Sequence, residues 1–173
     1  AFAVEMVRFS LAPGRYRLEV DVEDSVSGRH VGSTADLEGF STAPAASDLL
    51  LSPQIRPAMA EDTVPRPAEL RWGRMLVTAA ARLELTPLRP MAFYLLEAYS
   101  AKEESGTLSL RVIDSAGAAL LTTAASPVRV PAGGGVLKGQ LDLNGLPPGR
   151  YTMTASLNIG GQPVERTAPL SMA

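Results

Sequence analysis

Leu11-Ala12-Pro13-Gly14-Arg15-Tyr16 and Leu146-Pro147-Pro148-Gly149-Arg150-Tyr151 are two copies of one hexapeptide, identical at five of six positions. Each copy opens onto a stretch of strict two-residue alternation. After the first come Tyr16, Leu18, Val20 and Val22; after the second come Tyr151, Met153, Ala155, Leu157 and Ile159. A period of two is the signature of a strand with one face buried and one in water. Proline followed by glycine suits the two central positions of a type II turn, because proline fixes φ and glycine accepts a positive one. Each strand then meets a second turn, Asp24-Ser25-Val26-Ser27-Gly28 or Asn158-Ile159-Gly160-Gly161, and a further strand follows.

A tyrosine that opens a strand directly after such a turn matches the tyrosine corner of immunoglobulin-like sandwiches, in which its hydroxyl bonds upstream backbone. The repeat therefore predicts an all-β chain and marks the last three strands of a sandwich, twice. The two copies differ in what precedes them. About 100 residues lie ahead of the second, enough for a complete immunoglobulin-like antiparallel sandwich, whereas ten residues precede Leu11. Residues 1–40 are expected to be the terminal strands of an incomplete N-terminal sandwich. Residues 41–70 form a proline-rich connector with Pro44, Pro53, Pro57, Pro65 and Pro67 that includes the first strand of the next domain. Residues 46–173 are the complete β-sandwich. Two or three strands are marginal alone, so the first segment calls for a partner surface.

Other strands follow from pattern. Ser47-Asp48-Leu49-Leu50-Leu51 reads as a short strand. Residues 70–86 fit either a helical stripe (Leu70, Leu76, Ala79, Ala80, Leu83) or strands ending at Arg82-Leu83-Glu84-Leu85, and the context favours strands. Met91–Tyr99 is apolar on both faces, as in a central strand covered on both sides. Leu108, Leu110 and Val112 alternate into the Asp114-Ser115-Ala116-Gly117 turn of a hairpin. Val128 and Val130 precede the Gly133-Gly134-Gly135 loop, and Leu137, Leu141 and Leu143 lead into the second hexapeptide.

Composition narrows the chemistry. The chain has 173 residues, 16 Lys and Arg against 18 Asp and Glu, no cysteine and one histidine, His30. Near-neutral charge argues against nucleic acid, which requires a basic stripe. Without cysteine there is no disulfide framework, thiolate zinc site, thiol nucleophile or iron–sulfur cluster. One histidine leaves little for a catalytic triad or a multi-histidine metal site. All basic residues except Lys102 and Lys138 are arginine, and with 25 alanines this reflects a GC-rich coding bias, so arginine content is discounted as a binding signal. No apolar run reaches the ~18 residues of a membrane helix. Ala1-Phe2-Ala3-Val4 has no basic n-region and no initiator methionine, which fits a removed signal peptide or a longer chain, and either suits an exported protein.

Candidate residues are few. His30 follows the Ser27-Gly28 turn with no nucleophile or carboxylate at a recognisable spacing, and reads as an edge-strand histidine. No GxSxG, HExxH, SxxK or P-loop pattern occurs. Asp21, Glu23 and Asp24 form the best acidic cluster and could offer oxygens to calcium, but Asp21 and Glu23 share the solvent face of a strand. Glu61-Asp62 and Glu103-Glu104 read as solubilising pairs in polar loops. Trp72, the only tryptophan, lies between Arg71 and Arg74. Trp and Arg are enriched at interface hot spots, which makes the three a possible protein interface; the competing reading is a core tryptophan. Phe93, Tyr94 and Tyr99 read as core rather than as a sugar platform. Tyr16 and Tyr151 are structural. No catalytic residue, cofactor or metal ligand is assigned.

Four segments occur in a characteristic order: Ser47-Asp48-Leu49-Leu50-Leu51, Pro67 with Leu70, Phe93-Tyr94-Leu95-Leu96-Glu97-Ala98-Tyr99, and the final Leu-x-Pro-Gly-x-Tyr unit. In this order they resemble the paired β-sandwich region that accompanies bacterial GWxTD-domain proteins, over roughly residues 11–172. The tetrad that names that family is absent. The resemblance implies an extracytoplasmic sandwich and supplies no catalytic residues. Together these features lead us to expect a non-enzymatic structural or interaction subunit, exported and periplasmic. It would have other protein subunits as partners and dock on a larger assembly, for example a membrane-bound photosynthetic complex. Two alternatives stay open: a sandwich that binds glycan or calcium, and the accessory domain of a longer exported enzyme.

Overall fold

The computed structural model describes residues 7–64, 66, 68–80 and 82–173. Ala1-Phe2-Ala3-Val4, Pro65 and Pro67 lie outside them. The described chain is all-β and separates into two compact units, Val7–Pro44 and 45–173.

The first unit is one antiparallel hairpin, β1 (Gly14–Asp24) and β2 (Arg29–Gly39), each of 11 residues. Its register places Tyr16 opposite Leu37, Leu18 opposite Ala35, Val20 opposite Ser33 and Val22 opposite Val31. Directly opposed residues share a face, so one face of the ribbon is almost wholly apolar. The other carries Arg15, Arg17, Glu19, Asp21 and Glu23 opposite Glu38, Asp36, Thr34, Gly32 and His30. The first hexapeptide is thus followed by two strands, and residues 7–13 add no third. Among the described residues this end holds two of the two or three strands expected there.

The second unit contains β3 (Leu50–Ser52), β4 (Ile55–Pro57), β5 (Glu69–Trp72), β6 (Met75–Thr78), β7 (Leu83–Leu85) and β8 (Met91–Ala98). It continues with β9 (Glu104–Asp114), β10 (Ala119–Thr122), β11 (Ser126–Val130), β12 (Gly135–Asp142), β13 (Gly149–Ile159) and β14 (Gln162–Met172). The largest sheet runs β10-β9-β13-β14-β7, with β11 also on β9. Facing it is the sheet β12-β8-β3, and a small sheet β4-β6-β5 completes the unit. One core joins the two main sheets. Leu108, Leu110 and Val112 of β9 and Met153, Ala155 and Leu157 of β13 meet Ala92, Leu96 and Ala98 of β8. Two sheets packed face to face over alternating inward residues is the arrangement of a β-sandwich.

The described residues of 70–86 carry strands β5, β6 and β7 and no helix, as the context suggested. The proline-rich stretch 41–70 is more than a connector, since β3, β4 and the start of β5 fall within it. The two-faced apolar pattern of Met91–Tyr99 has its cause in β8 being covered on both sides. Ala92, Leu96 and Ala98 enter the main core, while Leu95 joins Met75 and Val77 in a second cluster beneath the small sheet.

Candidate functional site

Both hexapeptides build the same corner. The Tyr16 hydroxyl donates to the carbonyl of Ala12 at 3.0 Å, and that of Tyr151 to Pro147 at 2.5 Å. The glycine serves this corner in a way turn chemistry did not indicate. Gly149 has no positive φ and Gly14 sits at 151°, far from the ~80° that a type II turn requires. A Cβ on Gly149 would instead lie 3.3 Å from the Tyr151 hydroxyl, and one on Gly14 3.6 Å from the Tyr16 ring. Each tyrosine folds back over the bare Cα of its glycine; at Gly149 this contact is tight, whereas at Gly14 it is ordinary and the φ of 151° is what favours glycine.

The two hairpins that follow have opposite fates. In β13, Tyr151, Met153, Ala155, Leu157 and Ile159 are all buried. They are covered by the facing sheet, and the edge of β13 away from β14 is paired with β9. In β1–β2, Tyr16 is 37 % exposed, Val20 45 %, Val22 60 % and Val31 68 %. Asp24 closes the hairpin tip through its carboxylate, accepting from the Val26 amide at 2.9 Å and the Ser27 hydroxyl at 2.7 Å. Those turn bonds hold its carboxyl below the usual carboxylate range. Asp24 is therefore a turn former, while Asp21 and Glu23 lie on the polar face. His30 faces Glu23 at 3.8 Å in the open. Among the described residues no group of three or more His, Asp or Glu is placed to hold a metal ion.

In the second unit the sequence motifs converge. The Glu97 amide donates to the Ser47 hydroxyl at 2.9 Å, and the Ser47 amide donates to the Glu97 carbonyl at 2.8 Å. Arg166 of β14 donates to the carbonyls of Ser47 and Ala46 at 3.0 and 2.9 Å. The Glu97 carboxylate takes the Trp72 indole N–H at 2.9 Å and the Tyr99 hydroxyl at 2.6 Å, one on each oxygen. That bond to a carboxylate, aided by burial, pushes the Tyr99 hydroxyl pKa up to about 12. Trp72 is half-buried against Met75, Val77 and Leu95. Arg71 and Arg74 are exposed beside it, and Arg71 donates to the carbonyl of Asp62. Tyr94 is half-buried against the main core and Tyr99 is at the surface. A largely apolar groove of about 470 Å³ runs past Asp48, Leu50, Trp72, Arg82 and Pro169.

One pair of acids departs from expectation. Glu61 is exposed, but the Asp62 side chain is only 12 % exposed and is gripped by both Nη atoms of Arg56 at 2.7 and 2.9 Å. The same guanidinium holds Glu69, 5 % exposed, at 2.8 and 2.9 Å. Asp62 is a structural ion-pair member and not a solubilising residue. Nothing in the spacing of Arg56, Asp62 and Glu69 marks the cluster, and discounting arginine as compositional bias hid its central residue. Glu103 pairs with Arg129 at 3.1 Å and Glu104 with Lys102 at 3.6 Å.

The molecule thus belongs to the broad class of all-β, sandwich-type proteins. No family model and no curated protein matches the chain. Among solved structures, the Pseudomonas fluorescens alkylpurine DNA glycosylase AlkC bound to DNA containing an abasic site analog is similar over 55 % of this chain and 28 % of that one. The identity is 14 % and the TM-score 0.37, a likeness too slight to carry a functional argument. Among the described residues no helix is long and apolar enough to cross a membrane.

Proposed function

We propose that the chain is a non-enzymatic docking module, an exported and periplasmic structural subunit that binds other proteins through its N-terminal hairpin. A membrane-bound assembly such as a photosynthetic complex is one concrete setting. The observation that carries this reading is the apolar face of β1–β2, whose sequence duplicate is buried in a core while Val20, Val22 and Val31 stay open. Burying apolar surface is worth ~25 cal/mol per Å², so such a face favours a protein partner. The paired tyrosine corners support an immunoglobulin-like character for the sandwich. The resemblance to the sandwiches of GWxTD-domain proteins supports the extracytoplasmic setting.

Val22 is exposed, so a Val22→Glu variant spares the fold and spoils the face. Tagged wild type and variant are compared by quantitative co-purification from the native source. A defined protein that falls by about tenfold or more with the variant, equivalent to 1.4 kcal/mol, supports docking through the hairpin. An identical set of proteins with both forms overturns it.

A further inference from the structure

The internal duplicate indicates what kind of surface completes the hairpin. Aligning the two hexapeptides sets Tyr16 on Tyr151, Leu18 on Met153, Val20 on Ala155 and Val22 on Leu157. In the second hairpin, β13 carries β14 on one edge and β9, antiparallel, on the other, with Leu157 opposite Leu108, Ala155 opposite Leu110 and Met153 opposite Val112. In the first hairpin, β1 carries β2 on one edge, and the other edge pairs with no strand among the described residues. An open edge beside an open apolar face is a template for strand addition.

The polar face adds a direction. Along β1 it begins with Arg15 and Arg17 and ends with Glu19, Asp21 and Glu23. An incoming antiparallel strand lays its N-terminal half against the acidic end and its C-terminal half against the arginines. Opposed charges on a shared face attract, and like charges repel.

We infer that the free edge of β1 accepts an antiparallel β-strand from a partner protein, apolar at alternate positions, basic in its first half and acidic in its last. This rests on the docking reading above and specifies its geometry. The probe is a synthetic peptide of the length of β1, 11 residues. Valines stand opposite Tyr16, Leu18, Val20 and Val22, lysines opposite Glu19, Asp21 and Glu23, and glutamates opposite Arg15 and Arg17. The control peptide has lysine and glutamate exchanged. Calorimetric titration of the full chain should show the matched peptide binding at least about tenfold more tightly than the control, with the gap narrowing as salt screens the charges. Bound peptide should slow hydrogen exchange at those β1 amides that β2 does not engage.

A chain carrying Glu19→Lys, Asp21→Lys and Glu23→Lys keeps the apolar face, reverses three of the five opposed pairs and should bind the control peptide better than the matched one. Equal binding of the two peptides overturns the charge-directed register. Binding of neither, with a dimer that forms as concentration rises and protects β1, assigns the face to a second copy and overturns the inference. Binding of neither, with β1 amides protected in the monomer, shows that the chain covers its own face and also overturns it. A partner lost with Val22→Glu, together with silence toward both peptides, leaves docking standing and removes strand addition.

Discussion

Arg56 shows how one side chain ties two acids to one another. Its guanidinium engages Asp62 and Glu69 together, and the Met59 and Arg66 amides donate to oxygens of the same carboxylates at 2.8 and 3.1 Å. Bonding to Arg56 draws the Asp62 carboxyl down to about 2 from 3.8 in an unfolded chain, and lowers Glu69 from 4.5. A folded pKa below the unfolded one means the native state favours the ionised form. The Asp62 contribution is therefore complete above pH 3.8 and is lost as pH falls through about 2. The urea midpoint of wild type should decline across this window more steeply than that of Asp62→Asn. Equal slopes would refute the assignment. At the corners, Tyr151→Phe removes one part-buried hydrogen bond and should cost about 1 kcal/mol. Tyr16→Phe, at a more exposed corner, should cost clearly less in the same denaturation assay.

Among the elements, β8 is the one on which two cores depend. Leu96 is 1 % exposed in the main core and Leu95 1 % exposed in the cluster under the small sheet. Leu96→Ala should destabilise the second unit by roughly 2–5 kcal/mol. Leu95→Ala should act locally, accelerating hydrogen exchange across residues 55–78 more than across β13. Uniform acceleration by both variants would contradict the separation of the two clusters. Both-face coverage of β8 was readable from its apolar run Met91 to Leu96, and β9, β12 and β13 from their alternation. The small sheet was obscured because β4 and β5 hold three and four residues, too few to show a period, and lie among prolines. The fold-back of tyrosine over glycine was hidden because Pro-Gly carries a turn signal of its own. The Glu97 grip on Trp72 joins residues 25 positions apart, and no sequence period reports such a pairing.

For the whole molecule, the consequential contrast is between two hairpins that open on the same hexapeptide corner and share a two-residue alternation, one built into a core and one open. The duplication itself was legible. The uncovered state of the β1–β2 face was not, because alternation says which residues share a face and not whether anything covers them. A two-stranded hairpin is marginal in water, and its amides should exchange with opening energies near zero. Amide hydrogen exchange of the isolated full chain tests this central claim most directly. The account predicts that β1 and β2 exchange at least about a hundredfold faster than β13 and β14, an opening free-energy gap of about 2.8 kcal/mol. Equal protection of the two hairpins would contradict it, since it would mean that the face of Tyr16, Leu18, Val20 and Val22 is already covered.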